Sequence, residues 1–179
     1  MSLNGKVGKA PSPPAPGAKP GPPNQGNYYA GIGPSIKVSD RLQLRPGTPE
    51  LDLLRGDTVR GWGMPRVQGY FYGGINYRGH GMTLNGWYQA SSRIRSAAPA
   101  ADLRFSPIIK LNLRGYVSLG SLMKHEPWAQ KLRLDVDVTN LTGARPRVRD
   151  GNGHVPNRLQ SDYLEPLGRT VTLTLRKLF

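Results

Sequence analysis

The sequence predicts an all-β chain. About six antiparallel strands in up-and-down order should form a partial transmembrane β-barrel behind a disordered or extended Pro-rich tail. Three observations point there. Apolar and polar residues alternate at period two over much of residues 27–179. Several alternating runs exceed the roughly five or six residues usual for strands in globular sheets, and most approach the roughly 9–11 residues that a tilted strand needs to cross lipid. The connections alternate long and short, as in outer-membrane barrels, whose long loops and short turns lie on opposite sides.

In chain order, Met1–Gly26 is low in complexity and rich in Pro, which blocks both helix and ladder hydrogen bonds; it reads as a tail without a packed core. Across Tyr28–Leu44 the apolar set is Tyr28, Ala30, Ile32, Ile36, Val38, Leu42 and Leu44, with polar residues and Gly between. The next two strands are Val67–Tyr77 and Met82–Ile94, and Trp87 lies out of phase with the apolar set of its strand, on the lumen side. The longest alternation is Leu103–Leu119. Leu132, Leu134, Val136 and Val138 then alternate with Lys131, Arg133, Asp135 and Asp137, and Val171, Leu173, Leu175 and Phe179 close the chain. Arg45–Met64 and Leu141–Gly168 are the long connections, and Arg78–Gly81 is a tight turn. Gly120–Ala129 is of medium length.

Composition narrows the function classes. The 37% hydrophobic content, with 23 Gly and 17 Pro, is poor material for a compact soluble core, but it suits a wall with lipid on one face and water on the other. The net charge of +14 raises nucleic-acid binding as a rival, for instance by an OB-like basic β-protein. The Lys and Arg residues are spread along strands and loops and not gathered in one patch, so no nucleic-acid partner is expected. The absence of Cys removes thiol catalysis and Cys-ligated metals. No apolar run of about 18 residues offers a membrane helix, and no apolar h-region follows Lys6 and Lys9, so no secretory signal is expected in Met1–Gly17.

Three stretches carry a resemblance: Leu132-Arg-Leu-Asp-Val-Asp-Val-Thr-Asn-Leu-Thr-Gly143, Asp150-Gly-Asn-Gly-His154, and Tyr163 to Phe179. They resemble the end of a TonB-dependent outer-membrane receptor, in which a Val-x-Asn-Leu core, here with Asn140 and Leu141, precedes a Pro-x-Gly-Arg turn, here Pro166, Gly168 and Arg169, and a last strand with a terminal aromatic residue. The resemblance covers residues 27–179. It implies uptake of a scarce ligand such as a metal chelate, with outer-membrane lipid, the barrel-assembly machinery, the plug and remaining barrel wall, and the TonB complex as partners. In such receptors the stripe Val171, Leu173, Leu175, Phe179 is a barrel-assembly signal, and Lys177 departs from the usual pattern. The plug and TonB-contact segment have no counterpart in this sequence, and such barrels have about 22 strands. The chain is therefore expected to work as part of a larger barrel in the outer membrane and not alone. A small standalone barrel is the other membrane alternative.

No chemistry competes with that reading. His80, His125 and His154 lack metal-ligand spacing, Asp135 and Asp137 sit on the water face of a strand, and Asp150-Gly-Asn-Gly reads as a β-turn. No nucleophile, base and orienting group can be assembled. No enzyme activity, cofactor or metal is expected.

Overall fold

The structure is a computed structural model and describes residues 1–8 and 25–178. Most of the Pro-rich tail and Phe179 lie outside the described residues. Among the described residues twelve strands occur: β1 (Ser2–Val7), β2 (Gly26–Ile36), β3 (Arg41–Leu42), β4 (Leu51–Asp52), β5 (Val67–Tyr77), β6 (His80–Gln89), β7 (Ser92–Ile94), β8 (Leu103–Phe105), β9 (Ile108–Ser118), β10 (Leu132–Thr139), β11 (Val148–Arg149) and β12 (Thr170–Lys177). The two α-helices, α1 (Leu119–Leu122) and α2 (Ser161–Leu164), are single turns.

The chain is all-β. Seven strands form one sheet in the order β1-β2-β5-β6-β9-β10-β12, each antiparallel to the next. Spatial order follows chain order, so this is an up-and-down meander. It is open among the described residues: β1 and β12 each pair on one side only.

Three expectations need correction. The start of the chain is not all tail, because Ser2–Val7 is a strand whose Leu3 and Val7 lie opposite Ala30 and Gly26. Alternation there is too short to stand out beside the Pro-rich run, and pairing with β2 supplies what propensity does not. The strand predicted to reach Leu44 ends at Ile36, where the chain turns into the small β3–β4 hairpin. The long alternations Met82–Ile94 and Leu103–Leu119 each divide in two, near Ala90-Ser91 and Ser106-Pro107. Pro107 has no N–H for the ladder, and Ser106 donates its N–H to the carbonyl of Arg147 in a neighbouring loop (2.9 Å). Beyond the break β7 and β8 pair with each other, and β11 joins β8, in a three-stranded loop sheet.

The register assigns every large side chain of the main sheet to a face. One face carries Ile32 opposite Phe71, Ile75 opposite Met82, Leu84 opposite Leu113, Tyr88 opposite Ile109, and Val136 opposite Leu173. Among the described residues nothing packs over most of it: Ile32 is 54% exposed and Leu173 69%. The buried apolar residues Phe105, Ala129, Leu132 and Val148 lie instead at the two ends of the sheet. The other face carries Tyr29, Trp87, Lys110, Arg114, Tyr116, Asp135 and Asp137. On it Arg114 pairs with Asp137, Arg133 holds the buried Asp135 (2.6 Å), and Tyr29 shares a hydrogen bond with Thr83 (3.0 Å).

Glycine explains the low apolar content. Tyr28, Tyr29, Tyr70, Tyr72, Phe71 and Tyr116 lie directly across from Gly5, Gly74, Gly33, Gly31, Gly86 and Gly81. Each ring covers the space a side chain would fill; a Cβ on Gly86 would collide with Phe71 Cζ. The aromatic side chain shields the glycine backbone, and the glycine gives the ring a flat place to lie.

Candidate functional site

At one end of the sheet Arg78 and Gly79 join β5 to β6 in a tight turn with positive φ at both, and residues 119–131 join β9 to β10. At the other end the connections are long, and they fold over the polar face. Together they enclose a cleft of about 620 Å³. Its floor is Trp87 and Lys110, cross-strand partners on β6 and β9. Trp87 therefore stands on the polar side, as its phase in the sequence predicts. The walls come from the β4–β5 connection (Asp57, Arg60, Trp62, Met64), from Phe105, and from Arg147 beside β11.

Local structure fixes these walls. Asp52 caps its own turn by accepting the N–H groups of Leu54 and Arg55 (both 3.1 Å), and the Asp57 carboxylate accepts the Asp52 N–H (2.7 Å). The Trp62 and Phe105 rings pack at 5.6 Å between centroids. Lys37 donates to Asp40 (2.7 Å) and lies 3.2 Å from Met64 Sδ, while Lys110 pairs with Glu165 from the last loop. Two cleft cations, Arg60 and Arg147, are in no ion pair among the described residues. The cleft thus combines aromatic surface with fixed positive charge, and its acids are engaged by neighbours.

The family-like terminal motif is largely brought together. Asn140 is 1% exposed and has φ of +53°, a conformation that Asn tolerates better than most residues. Its Nδ2 donates to the carbonyls of Ala144 (2.9 Å) and Gly168 (3.3 Å), and its Oδ1 accepts the Ala144 N–H (2.8 Å). The Leu141 N–H reaches the Leu111 carbonyl (2.7 Å), tying the loop to β9. Gly168 is buried beside the Arg145 guanidinium, and Arg145 pairs with Asp162. Arg169 lies near Gly143, and Pro166 stands exposed. Val171, Leu173 and Leu175 lie opposite Val138, Val136 and Leu134 on the apolar face.

The histidines are scattered. His80 Nε2 meets Ser121 Oγ (2.9 Å), a contact with no signal in the sequence pattern. The Ser121 hydroxyl proton goes to the Ser118 carbonyl (2.7 Å), so the oxygen accepts from the imidazole and the pair closes a turn. Asp150 accepts the N–H groups of Asn152 (3.0 Å) and His154 (2.8 Å), the turn expected there. Among the described residues no three His, Asp or Glu side chains are placed to hold a metal ion. The convergence of the cleft cations with Trp62 carried no signal in the sequence, because it depends on how three distant loops fold back.

Compared with family models, with curated proteins and with solved structures, the chain has no significant match.

Proposed function

We propose that the chain forms the C-terminal part of the barrel wall of a TonB-dependent outer-membrane receptor, and that its long loops line the entrance for a scarce ligand such as a metal chelate. One observation carries the wall reading: a single apolar face runs without interruption across seven antiparallel strands and, among the described residues, has nothing packed on most of it. In water such a face is a liability. Against lipid it is the expected exterior of a barrel, with the polar face inward and the long loops on one side. The receptor assignment itself rests on the Asn140–Leu141 and Pro166–Arg169 motif, which lies beside the cleft loops.

The open edges define the working unit. In lipid each unsatisfied backbone group costs several kcal/mol, so β1 and β12 need further strands beside them. The chain then acts within a larger closed wall, with a plug and the TonB complex as further partners, and carries no transport alone.

Because the chain has no Cys, single cysteines can be introduced one at a time. With the chain in phosphatidylcholine vesicles, a polarity-sensitive probe at position 32, 136 or 173 should report hydrocarbon, and a probe at 137 or 172 should report water. Equal signals on the two faces would refute the wall reading. In cells that assemble the chain into a complete wall, uptake of a ferric chelate that persists after the inner-membrane proton gradient is collapsed would refute the receptor assignment.

A further inference from the structure

The loop sheet carries a feature the cleft does not use. Its register sets Arg93 opposite Arg104, and Arg104 opposite Arg149. Residues directly opposite share a face, so three guanidinium-bearing side chains stand in one row across strands about 4.8 Å apart. The reverse face holds Phe105 and Val148, both buried, which fixes the row on the solvent side. All three arginines are exposed.

Like charges directly opposite one another destabilise a sheet, and nothing local compensates. None of the three is in an ion pair among the described residues. Arg93 donates only to the Arg55 carbonyl (3.2 Å) and Arg149 only to the Gly153 carbonyl (2.8 Å). The nearby acids are occupied: Asp102 accepts the Ser96 N–H (2.8 Å), and Asp150 holds its turn. An open groove beside Arg104 and Arg149 is lined by the Gly151–Gly153 turn. The row is thus a preformed site for an anion with several charged oxygens, since guanidinium forks match phosphate geometry.

Position selects the source of that anion. Arg93 lies four residues beyond Gln89, the end of β6, and Arg104 four residues before Ile108, the start of β9. At about 3.3 Å per residue the row is within roughly 13 Å of the strands' ends, where lipid headgroups would lie. We infer that Arg93, Arg104 and Arg149 bind the phosphate groups of anionic lipid headgroups and anchor the loop end of the wall at the membrane surface. This inference rests on the wall reading given above.

The test is flotation of the full chain with phosphatidylcholine vesicles, with and without one-fifth phosphatidylglycerol. The row variant is R104Q/R149Q, and R45Q/R158Q removes equal charge from other exposed positions at the same end. A basic side chain near an anionic surface contributes about fivefold in binding, so the row variant should lose roughly 25-fold of the gain from anionic lipid, and the control less than threefold. Neither should lose binding to pure phosphatidylcholine. Equal losses in both variants, or none in the row variant, overturn the inference and leave the wall reading intact. No gain in flotation of the unaltered chain from phosphatidylglycerol also overturns the inference and leaves the wall reading intact. A short RNA that displaces the chain from anionic vesicles, with its binding lost in R104Q/R149Q, assigns the row to nucleic acid and also overturns the inference.

Discussion

Replacing Asn140 by Ala tests whether one side chain holds the last hairpin to its loop. Three side-chain hydrogen bonds disappear, two to Ala144 and one to Gly168, in a place that is 1% exposed. At about 1 kcal/mol net for each, their loss amounts to about 3 kcal/mol. The backbone at φ +53° adds about 1 kcal/mol when a residue with a Cβ and no local polar group sits there. N140A should therefore lower stability by about 4 kcal/mol, and N140G, which loses the same bonds without the backbone strain, by about 3 kcal/mol. Urea unfolding of the chain in vesicles, followed by tryptophan fluorescence and circular dichroism, measures both. A loss below about 1 kcal/mol in N140A, the worth of a single such bond, would refute the reasoning. So would N140G proving as unstable as N140A.

Three further outcomes are expected. Asp135 separates Arg133 from Arg176, which are directly opposite, so D135A should cost about 1–3 kcal/mol; adding R176A to D135A should then stabilise, although R176A alone destabilises. A double-mutant cycle by urea titration reads that change of sign. G86V should displace the Phe71 ring and cost about 1–3 kcal/mol in the same titration, and G115A, where an added Cβ meets no side chain, should cost less. Kept in buffer without lipid or detergent, the chain should aggregate, since it then exposes an apolar face and two strand edges. Light scattering checks this, and a clear monomeric solution would count against the fold's proposed setting.

Much of the main sheet was legible because period-two alternation survives in its strands: Val67–Tyr77 is found as read, and the β10 and β12 strands start and stop within a residue or two of the described alternation. What escaped reading depends on contacts between distant segments. Met1–Gly8 has too few apolar positions to declare a strand, and only pairing with β2 makes it one. The break at Ser106-Pro107 turns on an acceptor at Arg147, forty residues away. The cleft was illegible for the same reason, since Arg60, Trp87 and Arg147 share no local pattern. Arg93 and Arg104 read as ordinary water-face residues of two long strands. Their alignment with Arg149 exists only in the register.

The ring-over-glycine pairs bear on how the strands find their partners. A one-residue slip would swap the two faces and is strongly penalised wherever one face is buried. A two-residue slip preserves the faces, so alternation alone does not forbid it. Moving β5 by two along β2 would take Tyr72 from Gly31 and Tyr70 from Gly33, and would set at least one ring against Tyr29 or Ser35 in place of a glycine. Each pair works as a tooth and a notch. Six of them distributed over five of the seven strands give the sheet a graduated scale, so the residues that weaken each strand singly are those that tell it where to stop sliding.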